Sequence, residues 1–428
     1  MILRKMVKLV VAGTGTAGYL SAAILKNTIP DADITILDGG SGVIGVGEGT
    51  YCSFIGTVTS RAGIDINELV SEVKPVAKFG IEFDFGKRIF HYTFGTTFDW
   101  KYNKEKKPIG FNFDGGNYGH SEYSRRMINK IGVTSIEPNH AMHLDNKRWL
   151  EFLRKHVIKQ GVKIIKDTIT SVERKGDNIT SINNKYKADY YIDCTGFKGI
   201  LTKSKWIPYK NLKNDRALFF MTKDDEPIRP YTLATTMNSG WLWQIDHMDS
   251  TSNGYVYSSK YITDEDAKKE VEDKLGVDVK GRVIKFIPGR REKIWTGNVI
   301  SIGNSGGFIE PLEATSISII LHNATILSDI IHSGPNDYLI DRFNNQMNER
   351  YDVIADFISV HFIYNKKLTT PYWKDYNKLS VKKGTLADEI ITYYKHNNVN
   401  IIMTTQFYDN SNPFDLEGWW SILRGLDV

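Results

Sequence analysis

The sequence predicts an α/β chain in which a parallel sheet is assembled from distant segments, with a β-rich lobe inserted and a helical region at the C-terminal end. Three observations predict it. A strand-length apolar run, Val7 to Ala12, enters the loop Gly13-Thr14-Gly15-Thr16-Ala17-Gly18 and then an apolar helical stretch from Tyr19 to Leu25. Two later strand-like runs, Ala188 to Phe197 and Val299 to Gly303, also close on glycines. Between them, Tyr231 to Trp243 and Tyr255 to Tyr257 are rich in β-formers.

Length and composition bound the reading. At about 150 residues per domain, 428 residues allow roughly three units, or one large enzyme domain with a lobe. Charged residues make up 25%, hydrophobic 41% and aromatic 12%, the mix of a soluble globular chain and not of a disordered or collagen-like one. Lys plus Arg number 55 against 50 Asp plus Glu, a net charge of +5 that is too weak a bias to argue for nucleic acid. The two cysteines, Cys52 and Cys194, form no CxxC pair, zinc set or disulfide framework. No metal is expected, and a reducing cytoplasm is the expected location. No run approaches 18 apolar residues, so no membrane span is expected. The N-terminal apolar run is too short for a signal peptide and reads as the first buried strand. The sequence leaves the oligomeric state open, a homo-oligomer included.

Each part of the first unit has a chemical reason. Gly13 permits the tight turn, Gly15 lets backbone approach a pyrophosphate, and Gly18 lets helix and strand pack closely. The helix N-terminus, with Thr14, Thr16 and Ala17 around it, offers free N–H groups to phosphate. Ile34 to Leu37 reads as the second strand and ends at Asp38, 20 residues beyond Gly18, where a carboxylate can accept from a ribose hydroxyl. This unit indicates a dinucleotide without separating FAD from NAD. A sheet built from distant segments favours the two-domain FAD proteins of the monooxygenase type. The expected division is a discontinuous FAD-binding domain of residues 1–205 and 280–330, a β-rich substrate lobe of 206–279, and a helical region of 331–428.

Further blocks, in order along the chain, carry a resemblance. They are Val46-Gly47-Glu48-Gly49-Thr50, Lys78-Phe79-Gly80-Ile81-Glu82-Phe83, Gly240-Trp241-Leu242-Trp243-Gln244-Ile245, and Gly307-Phe308-Ile309-Glu310-Pro311-Leu312-Glu313-Ala314-Thr315-Ser316-Ile317. Together they resemble the VGEAT, KxGIxF, GWxWxI and GFxEPLESTxI segments of flavin-dependent halogenases of the tryptophan-halogenase type. Thr168-Ile169-Thr170 resembles, more weakly, a strand whose backbone meets the adenine. The resemblance covers Val10 to about Trp373, and the shorter length resembles phage-encoded members. The sequence departs from the pattern at Cys52 and Asp246, where proline is usual, and at Ala314, where serine is usual. No segment near the C-terminus matches the one that encloses an indole in the family, so a more open substrate pocket is expected.

The resemblance implies an enzyme in which reduced FAD, supplied by a separate flavin reductase, and oxygen oxidise halide to hypohalous acid. That oxidant then halogenates an electron-rich aromatic molecule. It implies catalytic roles for Lys78 and Glu313. FAD contacts would come from the glycine loop, Asp38, Gly47, Glu48, Gly49, Ile169, Gly303, Asn304 and Ile317. The backbone of Thr315 and Ser316 would bind the halide, chloride, bromide or iodide.

Each residue also has a plainer structural role. Lys78 follows a helical stretch, Asp65 to Lys74, and reads as an exposed helix-end lysine. Glu313 reads as a carboxylate at a helix N-terminus. Trp241 and Trp243 alternate on one strand face as aromatic core. In the resemblance they form a plug that keeps substrate from the flavin. His91, in a block near the family's substrate side, reads as structural. Phe357, His361, Phe362, Tyr364, Tyr372, Trp373, Trp419 and Trp420 read as packing. The alternatives are an FAD-dependent aromatic hydroxylase, which needs direct contact between substrate and flavin, and a flavin-binding protein without turnover.

Overall fold

A computed structural model describes residues 6–40, 48–94, 99–102, 108–109, 122–136, 140–223, 227–396 and 412–428. The six-stranded sheet runs, edge to edge, Lys163–Lys166, Asp33–Asp38, Lys8–Ala12, Tyr190–Asp193, Val299–Ser301 and Trp295–Thr296. The first five are parallel to their neighbours, and the last pairs antiparallel with Val299–Ser301. Lys8–Ala12 lies in the middle, which is why its sequence does not alternate: both faces need apolar cover. Leu9 and Val11 face the main core with the helices Thr16–Thr28 and Thr315–Ser333, while Val10 and Ala12 pack on a smaller cluster with Leu37, Ile179 and Tyr191. All three strand-to-glycine junctions of the sequence therefore sit side by side at one end of one sheet.

The second layer is a seven-stranded sheet in the order Arg282–Lys285, Arg216–Thr222, Thr251–Tyr257, Gly240–Asp246, Thr232–Met237, Gly80–Asp84 and Phe90–Thr93. It takes in the strands from Arg216 to Tyr257 of the β-rich stretch, adds Arg282–Lys285 from beyond it, and recruits residues 80–93 from the N-terminal part through a parallel pairing with Thr232–Met237; Trp206–Pro208 pairs instead with Gly289–Arg291 in a separate three-stranded sheet. The helix Asp264–Leu275 covers one face, against Leu218, Leu242 and Tyr255. Trp241, Trp243 and Val256 point from the other face into the main core. Asp246, at the end of its strand, holds Arg229 through both carboxylate oxygens at 2.6 and 2.9 Å, a bidentate lock that proline could not make.

The C-terminal region is helical, with Asp337–Ile363, Pro371–Asn377, Leu386–His396 and Asp415–Gly425. Its aromatic residues pack on one another: Phe357 stacks on Phe414 at 3.9 Å between ring centres and meets Trp419 edge-on at 4.6 Å. No helix among the described residues is long and apolar enough to cross a membrane. Thr168-Ile169-Thr170 is not a strand but the irregular link between Lys163–Lys166 and the hairpin strand Val172–Lys175. Asn183 holds that link by bonding Thr170 N–H at 2.8 Å and the Thr168 carbonyl at 2.8 Å.

Candidate active site

The glycine loop has the geometry its sequence demands. Gly13 has φ of +117° and donates its N–H to Leu37 O at 3.0 Å. A side chain there would be strained in backbone and would strike the Cys194 carbonyl. A Cβ on Gly18 would lie 2.0 Å from the Gly13 carbonyl oxygen, so the first helical turn folds directly onto the loop. Gly303, which ends the third junction, sits so close that its Cβ would lie 2.7 Å from that of Ala17. Asp38 accepts from Thr14 Oγ1 at 3.3 Å and from Gly40 N–H at 3.0 Å, beside the loop.

A cavity of about 580 Å³ runs from this loop to the second sheet. Of the residues expected at the cofactor, Gly13, Thr14, Gly15, Thr16, Ala17, Glu48, Gly49, Ile169, Gly303, Asn304 and Ile317 line it. Gly18 and Asp38 do not; they shape the loop from behind. Gly47 lies outside the described residues. Glu48 accepts from Thr16 Oγ1 at 2.7 Å and Asn146 Nδ2 at 2.5 Å through the same oxygen, Oε1. Desolvation outweighs these bonds and pushes its carboxyl up to about 7. A loop with glycine at three of its six positions, a helix N-terminus and a cavity of about 580 Å³ fit the pyrophosphate and ring system of FAD. The FAD-holding residues would be the glycine loop, Glu48 and Gly303-Asn304.

Lys78 lines the same cavity. The helix before it is Ile66–Val73, capped by Asp65, whose carboxylate takes Asn67 N–H at 2.7 Å. Pro75 follows, and the chain then continues as a short strand, Val76–Lys78, paired with Ala141–Leu144. The lysine is therefore not an exposed helix end: its side chain is fully buried. Nζ has no hydrogen-bond partner among the described residues and sits 4.7 Å from the centre of the Phe94 ring. A Cβ on Gly49 would come within 3.1 Å of Nζ and 3.1 Å of Ala314 Cβ, so the glycine makes room for the amine. Burial drives its pKa down to about 7, against the opposing pull of the Glu313 charge.

Glu313 ends a 3₁₀ turn, Pro311–Glu313, and is also fully buried. Ala314 adopts a left-handed conformation, φ +53°, and turns the chain into the helix Thr315–Ser333. Glu313 Oε1 lies 2.8 Å from His361 Nε2, a contact between residues 48 apart that the sequence reading missed. Burial raises the Glu313 pKa, and His361 and Lys78 oppose that rise. Glu310, at the other end of the same motif, takes Asn214 Nδ2 at 2.7 Å and Trp241 Nε1 at 3.0 Å and is likewise raised by burial, to about 7. The first glutamate of the EPLE segment thus fixes an indole, and the second lies beside the lysine.

Ser316 lines the main cavity, and both Thr315 and Ser316 line an adjoining space of about 10 Å³, room for roughly one water-sized ion. Trp243 borders the main cavity, while Trp241 sits behind it at 6.0 Å between ring centres. His91 pairs across the strands with Glu82 at 2.8 Å and does not border the cavity. None of the eight C-terminal aromatic and histidine residues singled out in the sequence borders it either. His143, unmarked in the sequence, bonds the cavity residue Thr232 at 2.9 Å.

Comparison with known proteins gives this geometry its relatives. The family model for tryptophan halogenases matches residues 8–428, extending past Trp373, where the motif resemblance stops, to the last residue. Tryptophan 7-halogenase RebH of Lentzea aerocolonigenes is 29% identical over 99% of this chain and 90% of its own length. Tryptophan 6-halogenase ThaL of Streptomyces albogriseolus is 26% identical over 96% of this chain and 86% of its own. Among solved structures, the tryptophan 5-halogenase MibH superposes with a TM-score of 0.86 at 28% identity, covering 99% of this chain and 86% of MibH. The flavin-dependent halogenase BrvH of Brevundimonas sp. BAL3 gives 0.82 at 25% identity, covering 99% and 90%. With a cavity that runs along the glycine loop and is lined by the buried Lys78, and a family model that matches residues 8–428, this chain belongs to the tryptophan halogenase family and is a flavin-dependent halogenase.

Proposed function

We propose that Lys78 and Glu313 form the halogenating centre for an electron-rich aromatic substrate. The observation that carries this reading is the Lys78 amine: fully buried, unpartnered among the described residues, and opening on the cavity that begins at the glycine loop. Reduced FAD with oxygen supplies the oxidising equivalents that turn halide into hypohalous acid. Everything else falls to the chain. The N–H groups that start the helix Thr315–Ser333 suit a halide, because a helix N-terminus favours anions. With a pKa near 7, Lys78 is present in both forms at neutral pH. Its ammonium can donate to the oxygen of hypohalous acid, and its neutral amine can take the halogen and release water. Trp243 at the cavity wall and Trp241 behind it separate the ring substrate from the flavin, which favours halogenation over direct hydroxylation. Reduced FAD would be delivered by a separate flavin reductase, as the family resemblance implies.

The test is a single turnover of reduced, FAD-loaded enzyme with oxygen, bromide or chloride, and a panel containing tryptophan, other indoles and phenols. Mass spectrometry reads product, and absorbance reads FAD reoxidation. Lys78→Met is expected to keep FAD binding and halide-dependent reoxidation while halogenated product falls at least about a hundredfold. Equal product yield from the variant would reduce Lys78 to a packing residue and remove the proposal's main support.

A further inference from the structure

His361 and Glu313 hold a proton between them. Both side chains are fully buried. His361 lies one turn after Phe357 on the helix Asp337–Ile363, and its Nδ1 is 2.9 Å from the Phe357 carbonyl oxygen. A carbonyl can only accept, so Nδ1 carries hydrogen. The other ring nitrogen, Nε2, faces Glu313 Oε1 at 2.8 Å. Two lone pairs cannot meet at that distance without a proton. Either the carboxyl donates to a neutral imidazole or an imidazolium donates to the carboxylate. The second carboxyl oxygen, Oε2, has no hydrogen-bond partner among the described residues. The rings of Phe83 and Phe357, 5.3 and 5.0 Å from the imidazole centre, wall the pair with apolar surface. Apart from His361, the charged group that bears on Glu313 among the described residues is Lys78, on the strand Val76–Lys78.

We propose that His361 is a positioning residue for halogenation: by keeping the shared proton at its Nε2, it leaves Glu313 Oε2 as the anionic oxygen that takes the proton lost by the aromatic ring. This rests on the Lys78–Glu313 reading above and deepens it. The net step is Ar–H + HOX → Ar–X + H₂O. The O–X bond breaks with its electron pair on oxygen, and that oxygen takes a proton from the Lys78 ammonium and leaves as water. The halogen bonds to ring carbon. The C–H electron pair then restores the ring as its proton moves to Glu313 Oε2. Return of that proton to the Lys78 amine resets both groups. Without His361, burial in this apolar setting pushes the carboxyl toward its neutral form, which has no charge with which to accept another proton.

His361→Gln tests this, since glutamine reaches Oε1 with an N–H but cannot exchange a proton. Wild type and variant are compared for FAD affinity by fluorescence quenching, for halide-dependent FAD reoxidation, and for single-turnover product from pH 6 to 8.5. The expected result is unchanged FAD affinity and reoxidation, with product formation down about tenfold or more at pH 6 and recovering as pH rises. A variant profile parallel to the wild type, whether at equal rate or uniformly lowered, overturns the proposal. Should the variant not fold, ¹⁵N-histidine spectra of the wild type and Glu313→Gln decide instead. A His361 Nε2 signal that moves on Glu313→Gln, with Nδ1–H retained, supports the shared proton, and an indifferent one refutes it. If wild-type enzyme halogenates no arene, the broader reading fails; if only the His361 results go against expectation, this inference alone fails.

Discussion

Replacing Lys78 by methionine is expected to make the protein more stable, by an amount that depends on pH. The ammonium is buried without a hydrogen-bond partner among the described residues, and its pKa falls from the ordinary 10.5 to about 7. A shift of that size corresponds to at most about 5 kcal/mol, and relaxation around a buried charge brings the expected value to roughly 2–5 kcal/mol. The sign follows from proton counting. Between about pH 7 and 10.5 the unfolded chain binds this proton and the native chain does not, so wild-type stability rises with pH across that window. Below about pH 7 the whole penalty is present. Methionine fills the same unbranched space and carries none of it. Glu313 keeps His361 as a partner, so the substitution does not leave its carboxyl alone. The melting-temperature gap between variant and wild type, both without FAD, should be largest at pH 6. For a chain of 428 residues the gap is about 2–5 °C there, since each degree corresponds to roughly 0.9 kcal/mol. It should shrink by more than half at pH 9.5. A gap that stays constant between these pH values would mean that the amine is solvated and the reasoning from burial is wrong.

Two glycines offer further checks. Gly18→Ala sets a methyl 2.0 Å from the Gly13 carbonyl oxygen, which must push the helix off the loop; FAD affinity measured by fluorescence quenching should fall at least about tenfold, with circular dichroism little changed. Gly254 lies directly opposite Trp243 on the neighbouring strand, and a Cβ there would sit 2.0 Å from the indole ring. Gly254→Ala should therefore displace Trp243 into the cavity and cost about 1–3 kcal/mol of stability by overpacking, read in urea titrations, together with a change in FAD-bound tryptophan fluorescence. An unaltered fluorescence spectrum would show that the ring does not rest on that glycine.

The fold was legible where chemistry is local. The glycine loop, the strand ending at Asp38 and the two later strand-to-glycine junctions lie within short windows, and their physical demands are visible residue by residue. The Trp241–Trp243 alternation likewise places both rings on one face, as found. What the local pattern misjudged was Lys78. A lysine shortly after a capped helix reads as solvated, and only the pairing of its short strand with Ala141–Leu144, some sixty residues on, buries it. His361 reads as packing among the C-terminal aromatic residues, and its partner arrives from a turn 48 residues earlier. The motif blocks point to Glu48 and Glu310 themselves, but not to their donors Asn146, Asn214 and Trp241, which come from distant elements. Thr168–Thr170 resembles a strand of the family, but here Asn183 supplies the bonds that a ladder would make.

The order of strands in the parallel sheet also governs when this protein can become competent during its synthesis. Lys8–Ala12 and Asp33–Asp38 emerge first, yet the inner edge of Lys8–Ala12 pairs with Tyr190–Asp193, and that strand in turn pairs with Val299–Ser301. At about 5–20 residues per second, a ribosome takes on the order of 10–40 s to deliver the first of these partners and longer to deliver the second. Throughout that interval an apolar strand edge stands open on the nascent chain. The loop that grips the cofactor cannot take its final form either, because Gly13 is seated against the Cys194 carbonyl and Ala17 against Gly303. The cofactor loop thus takes its final form late in synthesis, and the first residues made depend on those made after two thirds of the chain.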